Sequence, residues 1–153
     1  MTSESTPRNS SSTTTDELVI TQHVPAPVEE VWAAWTSAEG WARWWWPQWA
    51  DTEYVVDARP GGTYLARSVE GDARVTGEFT TVEAPHLLEM TWRWGEPVED
   101  TVRVELTDSP GDDGTPGTLV TVRHRTDPAG MDNYRMGWEF VLGNLASSVP
   151  DAG

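Results

Sequence analysis

The sequence contains no cysteine and no lysine. Without cysteine there is no disulfide and no thiolate metal site, and nothing points to an oxidising compartment. Without lysine, all 10 basic residues are arginines, set against 25 Asp and Glu for a formal net charge of −15. So acidic a surface repels phosphate backbones and anionic lipid, which argues against binding of nucleic acid or of a membrane surface. Such a surface ordinarily answers to solubility, a saline habitat or genomic base composition. Long apolar runs are missing too: none approaches the roughly 18 residues of a membrane span, and the N-terminus lacks the apolar stretch of a signal peptide. A soluble, cytoplasmic protein is the expectation.

Several chemistries are excluded in the same way. The three histidines stand 63 and 38 residues apart, with no His-x-x-x-His or His-x-His pair to hold a metal. No Gly-x-Ser-x-Gly elbow presents a nucleophile, and the serines gather in the N-terminal leader and at Ser147 and Ser148. Arg59-Pro60-Gly61-Gly62 lacks the Lys-Ser/Thr and following helix of a phosphate loop. Neighbouring carboxylates, Glu29-Glu30 and Asp112-Asp113, fall in a helix's first turn and in a loop, where solvation explains them. With no recognisable nucleophile, metal site or cofactor motif, the reading leans away from an enzyme, and no cofactor is expected.

What is abundant is tryptophan: five of the ten fall within the eleven residues Glu39–Trp49. Each indole buries roughly 150–250 Å² and carries one N–H that wants a partner, so the cluster suits a lid on a hydrophobic cavity as well as a plain core. The length of 153 residues fits one domain with one core. Residues 1–15, rich in Ser and Thr, cannot bury enough apolar area to offset their ordering entropy and read as a disordered leader. The domain is expected over 16–149, with 150–153 as a tail.

Leu18–Val24 reads as a first strand. Val28, Val31, Trp32 and Trp35 fall at i, i+3, i+4 and i+7 behind Pro27, which predicts a short helix. A second runs from Ala38 to Trp46, with Trp41, Trp44 and Trp45 on one face and Trp46 looking elsewhere, until Pro47 ends it. Six strand-like runs follow, at 52–58, 63–68, 74–82, 87–94, 100–106 and 118–125, separated by Gly/Pro/Asp turns that predict antiparallel neighbours. Leu88, Met90, Trp92 and Trp94 alternate with polar residues, as a half-buried strand requires, and Val102, Val104 and Leu106, then Val120, Val122 and His124, repeat the period.

The last element starts near Asp127-Pro128 or Asp132 and runs to about Ser148, closed by Pro150, with Met131, Tyr134, Trp138, Val141, Leu142 and Leu145 as its stripe. At about 1.5 Å per residue it spans some 27 Å, enough to lie across a sheet of six or seven strands. The fold class is therefore α+β, with a long C-terminal helix covering one face of an antiparallel sheet. Gly137 is read as letting this helix approach the sheet closely, and Trp138 as its anchor.

His124 shares a face with Val120 and Val122. It reads as a satisfied interior histidine bonded to a backbone carbonyl, or else as a group that meets a ligand oxygen or acts as a general base. His23 and His86 sit at a strand end and in a turn. Asp57 and Arg59 are placed to pair in an architectural turn. An exposed indole at Trp46 or Trp49 would suit a homodimer interface or local packing.

Taken in order, Ala26-Pro27-x-x-x-Val31-Trp32, Trp44-Trp45-Trp46-Pro47, Asp57-x-Arg59-Pro60-Gly61-Gly62-x-Tyr64, Gly77-x-Phe79, Thr118-x-Val120-x-Val122-x-His124 and Gly137-Trp138 resemble the SRPBCC superfamily. Within it the chain is similar to the bacterial relatives of the C-terminal domain of the heat-shock protein 90 ATPase activator, over about Glu17 to Leu145. The resemblance implies the START-like, pollen-allergen-like helix-grip fold, a curved sheet wrapped around the terminal helix with a cavity between them. Members bind lipids, sterols and polyketides or act as cyclases.

On that implication the tryptophan cluster sits at the cavity mouth. Trp41, Trp44, Trp45, Tyr64, Phe79, Met90, Trp92, Trp94, Val104, Val122, His124, Met136 and Phe140 become lining candidates, with ordinary core packing as the alternative for each. The leading expectation is binding of a small hydrophobic or aromatic molecule, oriented by a polar group such as His124 or Arg67. The alternatives are a cyclase- or hydrolase-like enzyme on the same cavity and a chaperone-associated interaction protein. The sequence shows no counterpart of the activator's separate N-terminal domain, which argues against direct chaperone stimulation.

Overall fold

A computed structural model describes residues 16–94 and 99–148. The leader over 1–15, the turn expected at Gly95–Pro97, Pro150 and the tail over 150–153 lie outside the described residues. The order is β1 (Asp16–Val24), α1 (Val28–Trp35), α2 (Ala38–Trp44), β2 (Glu53–Val56), β3 (Thr63–Ser68), β4 (Ala73–Glu83), β5 (Leu87–Trp94), β6 (Asp100–Asp108), β7 (Thr118–Thr126), a 3-10 turn (Pro128–Gly130) and α3 (Met131–Ser148). The strands form one antiparallel sheet in the order β1-β7-β6-β5-β4-β3-β2. From β2 to β7 successive strands are neighbours, as short Gly/Pro/Asp turns dictate. β1 completes the sheet by pairing with β7, from Asp16↔Thr126 to Val24↔Thr118. This is the α+β helix-grip arrangement.

The period-two pattern sets which face is apolar. Leu88, Met90 and Trp92 of β5, Val102, Val104 and Leu106 of β6, and Val120, Val122 and His124 of β7 are all buried on the inner face. They meet in cross-strand register: Leu88↔Val104, Met90↔Val102, Val104↔Val122 and Val102↔His124. On the outer face, a chain of ion pairs crosses four strands. Glu17 binds Arg123 at 3.3 Å, Arg123 binds Glu105 at 3.2 Å, Glu105 binds Arg103 at 2.9 Å and Arg103 binds Glu89 at 2.8 Å.

α1 and α2 form a corner held by tryptophan N–H groups. The last turn of α1 leaves carbonyls that α-helical bonding cannot reach. Thr36 Oγ1 donates to Trp32 O at 2.8 Å, and both Thr36 N–H and Ser37 Oγ donate to Ala33 O at 3.3 and 3.2 Å. The indoles of Trp44 and Trp41 donate to Ala34 O and Trp35 O at 3.0 and 2.8 Å. Ser37 also caps α2 by accepting from Gly40 N–H at 2.9 Å. Only glycine fits at position 40, because a Cβ there would lie 2.7 Å from the Ala34 carbonyl oxygen. α2 ends at Trp44, two residues short of the expected Trp46, since Trp45 already carries the cap.

α3 buries Trp138, Val141, Leu142 and Leu145, and lies closest to β1. Asn144 ties it to α2 by donating to Trp44 O at 3.2 Å. Much of the space between α3 and the β3–β5 side of the sheet is filled by indoles. Trp35, Trp41 and Trp44 are wholly buried and Trp45 is nearly so, each within 6.4 Å, ring centre to ring centre, of at least two other indoles.

The structure corrects two expectations. Trp46 is buried, edge-on to Trp49 and Trp94 at 5.4 and 5.7 Å, while its backbone N–H donates to Tyr54 Oη at 3.0 Å. Trp49 is half-buried and lies over the β3–β4 turn, where a Cβ on Gly71 would come within 2.3 Å of its ring. Both indoles pack locally, one of the two roles open to them, and Trp46 is not the exposed indole expected. Gly137, read as a close-approach residue, is exposed, and a Cβ there would meet no atom within 4 Å.

A cavity against the terminal helix

Among the described residues, a half-open cavity of about 300 Å³ lies beside α3. That is the small end of the roughly 300–1,000 Å³ typical of ligand sites. Trp45 and Trp46, just after α2, and Trp92 and Trp94, at the end of β5, form one side; Gly130, Asn133, Tyr134, Gly137, Trp138 and Val141 form the other. Strand alternation puts Trp92 and Trp94 on the same face two residues apart, and their rings lie parallel to within 7° at 6.2 Å. Helical spacing puts Tyr134, Gly137, Trp138 and Val141 on one side of α3. Trp138 reaches across to Trp92 and Trp45 at 5.2 and 5.5 Å. Trp94 is 40% exposed and stands at the opening.

Behind this wall lies a hydrogen-bonded chain. Trp138 Nε1–H donates to His124 Nδ1 at 3.0 Å, and His124 Nε2–H donates to Asp100 Oδ2 at 2.9 Å. The indole proton fixes the tautomer: Nδ1 accepts and therefore carries no proton, so the imidazole is neutral. Burial agrees, pushing the His124 pKa below its ordinary value despite the opposing pull of the Asp100 carboxylate. The Tyr134 ring packs on His124 at 4.4 Å, and burial raises its phenol pKa, keeping it a donor at neutral pH. The indole N–H of Trp45 has no acceptor among the described residues.

Of the residues expected at the site, the structure brings Trp45, Trp92 and Trp94 to the cavity. Trp41 and Trp44 are buried behind it in the α1–α2 corner, and Tyr64, Phe79, Met90, Val104 and Val122 sit in the packed core of the sheet. Tyr64 Oη donates to the Thr91 carbonyl, across a Gly77 whose missing side chain makes room for the ring.

His124 lies behind the wall, with both nitrogens engaged by side chains rather than by a backbone carbonyl. Met136 and Phe140 are 65% and 50% exposed on the outer side of α3, so they do not line the cavity. They fall between the buried positions of the helix, off the Tyr134–Trp138–Val141 stripe that does. That stripe was the signal for the missed wall, and membership of the tryptophan cluster was the signal for Trp46; Asn133 and Asp100 carried none.

His23 Nε2 and His86 Nδ1 donate to the Ser109 and Leu106 carbonyls at 2.9 Å each. Asp57 and Arg59 pair at 2.9 Å in their turn. Arg67 binds Glu53 at 2.7 Å across the β2–β3 pair and is not in the cavity wall. Among the described residues, no group of three His, Asp or Glu is placed to hold a metal, and no helix is long and apolar enough to cross a membrane.

The family model of the activator of Hsp90 ATPase homolog 1-like proteins matches residues 25–149. CalU16 from Micromonospora echinospora is 27% identical, with a TM-score of 0.65 over 87% of this chain and 75% of its own. DynU16, described as a putative protein in the dynemicin biosynthetic locus, is 26% identical with a TM-score of 0.69; the match covers 86% of this chain but 46% of DynU16. Mll3558 from Rhizobium loti shares the fold, with a TM-score of 0.71 over 91% of this chain and 100% of its own at 20% identity. No curated protein matches the sequence.

Proposed function

From the premise that the chain belongs to the activator of Hsp90 ATPase homolog 1-like family, we propose that it binds a compact apolar or aromatic small molecule in the cavity between α3 and the tryptophans of β5 and the α2 end. The observation that carries this reading is the cavity itself, about 300 Å³ walled by five indoles with one of them, Trp94, at the opening. Burial drives the association, at about 25 cal/mol per Å² of apolar surface removed from water. Tyr134 and Asn133 supply polar groups at the wall that orient the guest.

Binding is favoured over turnover by the state of His124. A general base needs a free nitrogen within reach of the proton it takes, and both nitrogens of this ring are engaged beneath the wall. The similarity to a protein of the dynemicin biosynthetic locus supports a ligand of natural-product type.

The test is a titration with N-phenyl-1-naphthylamine, a neutral fluorescent hydrophobe. Binding at the cavity quenches tryptophan emission and brightens the probe, and Trp94→Ala weakens the affinity about tenfold while leaving the unfolding midpoint within a few degrees. A protein that neither quenches nor brightens the probe, or a Trp94→Ala variant that binds like the wild type, would refute the assignment.

A further inference from the structure

α3 carries two interior glycines, Gly137 and Gly143, and a Cβ at either would meet nothing within 4 Å. Glycine is less stable than alanine inside a helix, because it surrenders more backbone freedom on folding. Close packing ordinarily repays this loss, as it does at Gly40, but no neighbour approaches either of these positions. Gly143 lies away from the cavity, whereas Gly137 lines it and is exposed to solvent as well. The bare backbone at Gly137 thus spans both sides of the cavity's edge. Met136 and Phe140, 65% and 50% exposed, flank it on the outside. On the inside stand Trp138, from the next position of the helix, and the parallel pair Trp92 and Trp94.

We propose that Gly137 is the portal and contact surface for the ligand: the absent side chain lets a flat ring system pass between α3 and Trp94 and lie against the helix backbone, with Met136 and Phe140 as an apolar apron outside. The ligand class is a planar fused-ring compound, because the parallel Trp92 and Trp94 rings and the bare helix edge offer flat surfaces. This rests on the small-molecule reading above and adds where the molecule enters and what shape it has.

The experiment compares Gly137→Ala, Gly137→Met and Gly143→Ala with the wild type, reading the thermal midpoint and N-phenyl-1-naphthylamine affinity. Neither alanine meets an atom, so both raise the midpoint by a few degrees through helix propensity. Only position 137 affects the probe: Gly137→Ala weakens binding about tenfold and Gly137→Met abolishes it, while Gly143→Ala stays within twofold. Equal affinity in Gly137→Ala and wild type overturns the portal and leaves the cavity reading standing. A wild type that binds no probe overturns both. A Gly137→Ala variant that melts below the wild type shows that the glycine is needed for the fold, which overturns the portal as its explanation.

Discussion

One proton on Trp138 fixes the electrostatics beneath the cavity. Because its indole N–H points at His124 Nδ1, protonating that nitrogen would set two donors face to face and leave Trp138 without an acceptor. The folded state therefore resists the proton that an unfolded histidine takes up near pH 6.5. The linkage has one sign. Above the unfolded pKa both states are neutral at this site and it adds no pH dependence. As the pH falls below it the unfolded chain gains a proton the native ring refuses, so stability drops, by at most about 1.4 kcal/mol per pH unit. Urea midpoints measured from pH 7.5 to 5.5 should fall more steeply for the wild type than for His124→Gln, which cannot titrate; parallel curves would show that the ring accepts its proton without cost. His124→Ala, which strands a buried indole N–H and a nearly buried carboxylate, is expected to cost about 2–4 kcal/mol in denaturant unfolding at pH 7.5.

Elements are more legible in the sequence than the site they build. The seven strands and three α-helices of the described residues follow from periodicity and from turns rich in Gly, Pro and Asp, because each pattern reports which side of one element is buried. A cavity is a gap left by several elements at once, and no local period encodes a gap. Tyr134, Trp138 and Val141 are visible as a stripe, but a stripe by itself says only that the helix is anchored there. Met136 and Phe140 attract attention for their chemistry alone, although helical spacing places them off that stripe. Trp46 looks surplus if the second helix continues through it, whereas α2 stops at Trp44 and the chain turns Trp46 inward.

The glycines show the same contrast between chemistry and place. Gly40→Ala drives a Cβ into the Ala34 backbone and should destabilise the α1–α2 corner by about 1–3 kcal/mol. The same substitution at Gly143 should stabilise by up to about 1 kcal/mol. Equal effects at the two positions, measured by urea unfolding, would contradict the packing described for that corner.

At the scale of the whole molecule the greasy interior belongs to a chain of net charge −15. Attraction and repulsion oppose each other there. The ladder from Glu17 to Glu89 attracts, but each pair is more than a quarter exposed, and exposed pairs contribute only about 0–1 kcal/mol apiece. The surplus carboxylates repel one another over the whole surface, and folding concentrates them. Salt weakens both, with a screening length of about 10 Å at 0.1 M and 3 Å at 1 M. With so few cations to offset the carboxylates, repulsion outweighs the ladder, so raising NaCl from 0.02 to about 0.5 M should lift the thermal midpoint by several degrees. A falling midpoint would mean that the ion pairs outweigh the net charge. The double variant Arg103→Gln, Arg123→Gln separates the two effects: it removes the attractive ladder and, with two arginines fewer, takes the formal charge from −15 to −17. Its midpoint should be lower than the wild type's in dilute salt, and its gain on adding salt should be larger, since less attraction is left to offset the repulsion that salt screens.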